Sequence, residues 1–318
     1  MKIATWGEAM LRLSPAPGLK LSQADVLDVH VGGSEANVAA GLASLGVEAR
    51  WLSVVSDDEL GEKVLGELRR IGVDVSRVIQ TAGRTGLYFY DAGGTGRPPV
   101  VTYDRALSAF AQHSSGTFLS GKAATLLDGA DLLHISGIDL ALGSEPAIAT
   151  MALWEAAGVA GMQRSFDVNF RRTLATAESW ARACEPYLAT AEVVFVAERD
   201  ALELFHTHDL RKLRELAPRA EIVVTRGGNG AAALDLQGRV TERPSLPVSE
   251  VGRIGRGDSF AAGYLWSRSI EPGDTGTALE RAIAAATYKS SLAGDLPALD
   301  PRAVESLRRG AQSGGVNR

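Results

Sequence analysis

The chain has 318 residues, of which 45% are hydrophobic and 22% are charged, so it can bury a large core. Its net charge of −5 argues against a general nucleic-acid-binding surface, and an anionic ligand must therefore meet a local group of arginines. The single cysteine, Cys184, rules out an internal disulfide framework. No apolar run is long enough for a signal sequence or a membrane span, so we expect a cytoplasmic protein without a membrane partner.

Taken in chain order, the hydrophobic pattern alternates between short β-rich runs and amphipathic stretches. Strands are predicted at residues 2–6, 50–55, 131–136, 165–168, 193–196 and 221–225. Helices are predicted after the diglycine at 32–33, after Asp258, and at residues 57–71, 145–157, 199–205, 210–216 and 277–293. This alternation is typical of an α/β fold in which helices cover both faces of a parallel sheet.

Two further β-rich runs interrupt this alternation. Residues 86–90 and 100–103 are joined by a loop rich in glycine and proline, which predicts a hairpin that projects from the α/β body. No repeat or low-complexity linker divides the chain. We therefore expect a single domain over residues 1–311, followed by a flexible tail at 312–318.

The segment 252–264 concentrates glycine around one carboxylate. Gly252, Gly255 and Gly257 precede Asp258, and an apolar pattern with helical spacing follows. Because a helix N-terminus presents unpaired N–H groups, this segment suits an anion and phosphate in particular. The simpler alternative is that Asp258 only caps the helix and the glycines only form a turn.

Two other glycine turns, at 32–33 and 227–230, are predicted to open at the same edge of the sheet. That edge holds the carboxyl ends of the strands, where open α/β sheets bind ligands. Arg105 ends the predicted hairpin and Arg171 follows a predicted strand. Two arginines at the rim of one cleft suit a substrate that is itself an acid, although a surface salt bridge is the more common role for either one alone.

Seven short motifs, taken together and in this order, resemble the ribokinase-like (phosphofructokinase-B type) carbohydrate kinases over nearly the whole chain. Within that family the similarity is greatest to the 2-keto-3-deoxygluconate kinases. The motifs are Gly7-Glu8, the run from Gly32 to Ala39, Tyr103-Asp-Arg105, Ser136-Gly-Ile138, the run from Asp167 to Arg171, the run from Val224 to Gly230, and the run from Gly255 to Gly263.

The resemblance implies a fold and an assembly. The fold is a parallel-sheet α/β/α sandwich with a small β-sheet lid, which would here comprise residues of about 9–31 and 84–105. In this family the lid often serves for dimerisation as well, so the resemblance implies a homo-oligomer that pairs through the lid.

The resemblance also implies ATP-dependent transfer of a γ-phosphoryl group to a hydroxyl of a sugar acid. Asp258 matches the general base, and the N–H groups of Gly255, Arg256 and Gly257 match an anion hole. The matching substrate positions are Gly33, Asn37, Tyr88, Tyr103, Arg105, Ile138, Arg171 and Asp295. The matching nucleotide positions are Thr225, Gly227 and Gly230, and Asp200 matches a position that would approach Mg²⁺ through water.

Three features depart from the family pattern. In the last glycine motif, Gly252 replaces a frequent aspartate and Arg256 replaces an alanine between two glycines. The N-x-x-E element that is usual near the metal and phosphates appears here as Ala197-Glu-Arg-Asp200, and Ile283 stands where a polar residue often approaches the nucleotide. Two alternatives stay open. One is a neutral-sugar kinase of the same fold, against which Glu35 counts because fructokinase-like sequences commonly have proline there. The other is a sugar- or nucleotide-binding regulator without catalytic activity.

Overall fold

The computed structural model describes residues 1–94, 96–113, 122–247 and 251–313, and in residues 311–313 the backbone only. Its strands are β1 (Lys2–Trp6), β2 (Met10–Ser14), β3 (Asp28–Gly32), β4 (Glu48–Leu52), β5 (Val54–Ser56), β6 (Ile79–Thr81), β7 (Leu87–Asp91), β8 (Val100–Asp104), β9 (Leu132–Ser136), β10 (Gln163–Asp167), β11 (Val193–Ala197), β12 (Glu221–Thr225), β13 (Ala231–Leu234) and β14 (Val240–Arg243). Its helices are α1 (Ser34–Ser44), α2 (Glu59–Ile71), α3 (Ala109–His113), α4 (Ala123–Leu127), α5 (Ser144–Val159), α6 (Ala177–Leu188), α7 (Glu198–Phe205), α8 (Leu210–Leu216), α9 (Arg256–Ile270), α10 (Thr275–Ser290) and α11 (Pro301–Ser313).

The main sheet has eight strands in the order β14-β13-β12-β11-β10-β9-β1-β4. All pairs from β12 to β4 are parallel, which confirms the predicted α/β fold. Strands β13 and β14 run antiparallel instead, because the short turn at 226–230 is closed by a hydrogen bond from Arg226 N to Gly230 O and leaves no room for a crossover helix.

Side chains on the two faces of this sheet enter two separate cores. On β1, Ile3 packs into one core with α1, α2, α9 and α10, whereas the next residue, Ala4, packs into the other with α5 and α6. Leu132 and Leu133 on β9 divide between the cores in the same way. Strands covered on both faces read as continuous apolar runs, which explains why they were identifiable in the sequence.

A second, four-stranded sheet has the order β3-β2-β7-β8. Strands β7 and β8 pair antiparallel with Tyr88 opposite Tyr103, so the predicted hairpin is confirmed. All five residues of β8 are exposed. The use of this sheet as a lid, its use for dimerisation, and the single-domain division at residue 311 stay predictions.

Parts of the fold differ from the pattern-based prediction. The strand expected at 50–55 is divided at Ser53, whose hydroxyl donates to Gly7 O at 2.8 Å, and β5 pairs with β6 in a small third sheet. Helix α11 was not predicted, and residues 312 and 313 of the expected tail belong to it, whereas 314–318 lie outside the described residues. None of the helices described is long and apolar enough to cross a membrane.

Candidate active site

A cleft of about 880 Å³ opens at the carboxyl edge of the main sheet, next to the second sheet. The segments that follow β1, β9, β10, β11 and β12 all contribute to its wall, as expected for a ligand site in an open α/β sheet. Every site residue predicted from the sequence lines this cleft except Gly230. The structure therefore brings together predicted residues as far apart in the chain as Gly33 and Asp295.

Asp258 lies in the first turn of α9, and Gly255 occupies the N-cap position. Gly255 adopts φ +78°, a left-handed conformation that favours glycine, and a side chain there would strike the carbonyl of Asp295. Arg256, Gly257 and Asp258 are thus the first three residues of the helix, at the positive end of its dipole. The alternative that Asp258 acts as the helix cap is wrong.

Two side chains of α1 orient the Asp258 carboxylate. Asn37 Nδ2 donates to Oδ2 at 2.6 Å, and Ser34 Oγ donates to Oδ1 at 3.1 Å. Asn169 in turn donates to Ser34 Oγ at 2.8 Å. Burial raises the pKa of Asp258, and the hydrogen bond from Asn37 and the charge of Arg171 oppose this rise. A carboxylate held in this way, with raised basicity, suits the acceptance of a proton.

Arg171 lies close to three carboxylates of the cleft. Burial raises the pKa values of Asp258, Asp167 and Asp200, that of Asp167 to about 8. The positive charge of Arg171 opposes each of these rises. Among the described residues, no carboxylate lies within ion-pair distance of the Arg171 guanidinium, and none of its N–H groups has a hydrogen-bond acceptor. The guanidinium is half-buried in the cleft wall, so it is available to an anionic ligand.

Arg105 differs from Arg171 because it already has a carboxylate partner. Its Nε and Nη2 atoms lie 2.7 and 2.5 Å from Glu8 Oε2, and Ser108 donates to the other oxygen of Glu8. The guanidinium also lies 5.7 Å from the ring centroid of Tyr103. Glu8 belongs to a motif noted in the sequence, but its pairing with Arg105 could not be inferred from spacing.

A second ion pair joins the small sheet to the main body. Arg12 on β2 lies with Nε 2.8 Å from Asp295 Oδ1, and Tyr88 on β7 donates to the other oxygen of Asp295. Both Arg12 and Asp295 are buried. Asp295 was predicted to meet a sugar hydroxyl, and its carboxylate does line the cleft. Arg12 was missed, because a single arginine in a short apolar strand gives no signal of which face it occupies.

The remaining predicted positions line the cleft, with one exception. Thr225 and Gly227 line the cleft, as do Ile138 and Gly33. Gly33 has a packing reason to be glycine, since a side chain there would meet the carbonyl of Glu8. Gly230 lies outside the cleft lining.

Two of the departures from the family pattern have a structural reason. A Cβ atom at Gly252 would lie 2.9 Å from Leu292 O, so the local packing does not accommodate a side chain such as aspartate. Ile283 is a residue of α10 that packs in the core, and it is absent from the cleft lining. Arg256 does line the cleft, and so does the Ala197-Glu-Arg-Asp200 segment.

Asp200, the residue predicted to approach Mg²⁺, forms part of the cleft wall. It is 5% exposed, and Arg199 Nε donates to its Oδ1 at 3.0 Å. Within the described part of the chain, no group of three or more histidine, cysteine, aspartate or glutamate side chains could hold a metal ion. A Mg²⁺ ion at this cleft would therefore take most of its ligands from water and from a bound phosphate.

Two buried carboxyl groups line the floor of the cleft. Glu35 and Asp139 are both almost fully inaccessible, and a side chain at Gly7 would strike the Glu35 carboxyl group. Burial raises the pKa of Glu35 to about 7, and it raises the pKa of Asp139 well above its usual value, with the charge of Glu35 adding to the effect. Burial of the pair therefore favours the protonated form of both carboxyl groups.

Glu35→Gln is expected to change the pH dependence of stability. Because the folded-state pKa of Glu35 is raised from 4.5 to about 7, the folded protein binds the proton more tightly than the unfolded chain. Stability is then lost as pH rises from about 4.5 through 7, by roughly 3 kcal/mol. The variant cannot ionise at this position, so urea unfolding at pH 5 and pH 8 should show a smaller loss. Glu178→Gln, at a side chain that is 81% exposed, is the control that should retain the full loss; an equal loss in Glu35→Gln would contradict the assignment.

Comparisons with known proteins agree with this arrangement. The sequence model of the pfkB family carbohydrate kinases matches residues 1–295. The 2-dehydro-3-deoxygalactonokinase of Haloferax volcanii is 35% identical over 98% of this chain and 98% of its own length. The 2-dehydro-3-deoxygluconokinase of Thermoproteus tenax is 30% identical over 96% of this chain and 94% of its own length. The crystal structure of 2-dehydro-3-deoxygluconokinase from Thermotoga maritima has a TM-score of 0.90 at 29% identity, with 98% of both chains covered.

The structure combines a parallel sheet covered by helices with a second small sheet beside its carboxyl edge. It also places a carboxylate in the first turn of a helix that follows a glycine loop. Together these features define a sugar kinase of the ribokinase-like class. The chain belongs to the pfkB family of carbohydrate kinases. The resemblance stated from the sequence motifs is thereby confirmed, including the similarity to kinases of keto-deoxy sugar acids.

Proposed function

We propose that this protein is an ATP-dependent kinase of 2-keto-3-deoxygluconate. The observation that carries the proposal is the Arg171 guanidinium, which lies in the same cleft as Asp258 and has no ion-pair partner among the described residues. A carboxylate-bearing sugar would supply that partner and bring a hydroxyl towards Asp258. A neutral sugar would leave a half-buried cation without a partner, which costs free energy.

In this proposal Asp258 accepts the proton of the attacking hydroxyl. The hydroxyl oxygen forms a bond to the γ-phosphorus of ATP, the bond from that phosphorus to the bridging oxygen breaks, and ADP leaves with the electron pair. The N–H groups at Gly255, Arg256 and Gly257 stabilise the charge on the transferring group. Ser34 and Asn37 support this role because their hydrogen bonds hold the Asp258 carboxylate in one orientation.

The substrate positions follow from the same cleft. Arg171, Arg105 and Tyr103 would hold the sugar carboxylate, with Arg105 exchanging or sharing its contact to Glu8. Gly33, Asn37, Tyr88, Ile138 and Asp295 would contact the rest of the sugar.

ATP would be held by the turn that follows β12, where Thr225 and Gly227 line the cleft and Gly230 maintains the turn. Mg²⁺ would neutralise the charge of the ATP phosphates, and Asp200 would hold it through water. The acidic wall at Asp200 fits a hydrated divalent cation but offers too few ligands for a dry one.

The experiment is a comparison of kcat/KM for sugars with Mg-ATP and the purified protein. The panel comprises 2-keto-3-deoxygluconate, its galactonate epimer, gluconate, fructose and ribose. Because a hydrogen-bonded charge pair contributes about 1.5–3 kcal/mol, we expect kcat/KM for the keto-deoxy acids to exceed that for fructose by roughly 10- to 100-fold. A preference for fructose or ribose would retain the kinase and overturn the acid-sugar substrate. No turnover with any sugar would favour a binding protein without catalytic activity.

A further inference from the structure

One lysine is buried next to Gly255, in the Gly255–Gly257 turn that is proposed to stabilise the transferring group. Lys289 lies in the last turn of α10, and its relative exposure is 0%. Its ammonium donates to Gly294 O at 2.9 Å and approaches Leu292 O at 3.4 Å. No carboxylate among the described residues lies within ion-pair distance of it. A buried lysine costs free energy, so its retention with only carbonyl partners calls for a reason.

The position of Lys289 connects two loops of the cleft. A Cβ atom at Gly255 would lie 3.2 Å from Lys289 Cε and would strike the carbonyl of Asp295. The turn before Gly255 is held to the same region, since Gly252 N donates to Ser290 O at 3.2 Å. The lysine thus fixes the 292–295 loop, against which the Gly255 turn rests.

The charge of Lys289 acts on the site as well. Burial lowers the pKa of Lys289, whereas the charges of Asp295 and Asp258 raise it and that of Arg12 lowers it. An ammonium in this dry environment interacts with the site over a longer range than a solvated one. Its side chain passes next to Gly255, which lines the cleft, and its ammonium binds the carbonyls of Leu292 and Gly294.

We propose that Lys289 is a positioning residue for phosphoryl transfer, which holds the Gly255–Gly257 turn in shape and supplies a fixed positive charge behind the transferring group. This inference rests on the proposed kinase site and deepens it. Lysine at a helix end normally reaches solvent, so sequence alone assigns no such role to this position.

The first test is Lys289→Met, which retains length and removes charge. We expect kcat to fall roughly 10- to 100-fold, while KM for the sugar changes less than about threefold. The matched control is Arg281→Met on the same helix, where a buried cation paired with Glu271 and Glu305 is removed far from the cleft. That control should lower the melting temperature with kcat unchanged. A wild-type kcat in folded Lys289→Met would overturn the proposal.

A second variant separates charge from packing. Lys289→Ala leaves a space lined by the carbonyls of Leu292 and Gly294, which a small cation fits. Ammonium or methylammonium at about 50 mM should restore kcat severalfold, whereas tetramethylammonium at the same ionic strength should not. Equal effects of all three salts would contradict an electrostatic role.

The failure of this inference is distinguishable from the failure of the proposed function. Should the wild type turn over a neutral sugar instead, the same variants are measured with that sugar. Should no sugar react, calorimetry with Mg²⁺, ADP and aluminium fluoride, a planar mimic of the transferring group, provides the readout. Aluminium fluoride should increase the affinity of the wild-type protein for ADP, and this increase should be about tenfold smaller in Lys289→Met. An equal increase in the two proteins would overturn the role of Lys289.

Discussion

Replacing Asp258 with Asn is expected to lower kcat by roughly 10²- to 10⁴-fold and to leave ATP affinity nearly unchanged. The substitution retains the size of the side chain and a hydrogen-bond acceptor for Ser34, but it removes the group that accepts the hydroxyl proton. Steady-state kinetics give kcat, and calorimetry gives the dissociation constant for ATP. An unchanged kcat would remove Asp258 from the role of base.

The control for this variant tests whether the loss of any aspartate carboxylate at the start of a helix would lower kcat through an effect on the structure. Asp274 caps α10 by accepting from Thr277 N at 3.0 Å and does not line the cleft. Asp274→Asn is expected to change kcat by less than twofold. If both variants lost activity in proportion to their loss of folded protein, the effect at Asp258 would be structural.

Arg171→Ala is expected to raise KM for 2-keto-3-deoxygluconate by roughly 10- to 100-fold. The guanidinium has no ion-pair partner among the described residues, so its contact with a substrate carboxylate is not offset by the loss of an existing salt bridge. KM for a neutral sugar should change little, since that sugar offers no carboxylate. The same measurement on Arg105→Ala should give a smaller increase, because Arg105 is shared with Glu8.

Arg172 provides the matched control, since it adjoins Arg171 in the chain but points to solvent. Its side chain is 77% exposed and forms a surface ion pair with Glu203. Such pairs contribute little, so Arg172→Ala should retain wild-type KM for every sugar. Equal KM increases for acidic and neutral sugars in Arg171→Ala would contradict a carboxylate contact.

The sequence motifs predicted the location of the cleft because they lie where strands end. The carboxyl ends of parallel strands meet at one edge, so the segments after β1, β9, β10, β11 and β12 converge whatever their separation in the chain. Glycine turns then mark close backbone approach, as at Gly255. These signals are local, and local signals can be recognised in sequence.

The contacts of the charged side chains could not be predicted in this way. The pairs Glu8–Arg105 and Arg12–Asp295 join residues that are far apart in the chain, and their partners depend on tertiary packing. Lys289 was missed because a lysine near the end of a helix is ordinarily solvated.

The most direct measurement of the central claim is ³¹P nuclear magnetic resonance of the protein with Mg-ATP and 2-keto-3-deoxygluconate. The account predicts one new phosphate monoester signal that grows in equal amount with ADP, and no such signal with Asp258→Asn over the same time. Formation of ADP with inorganic phosphate alone, or a monoester that forms equally fast in Asp258→Asn, would contradict it.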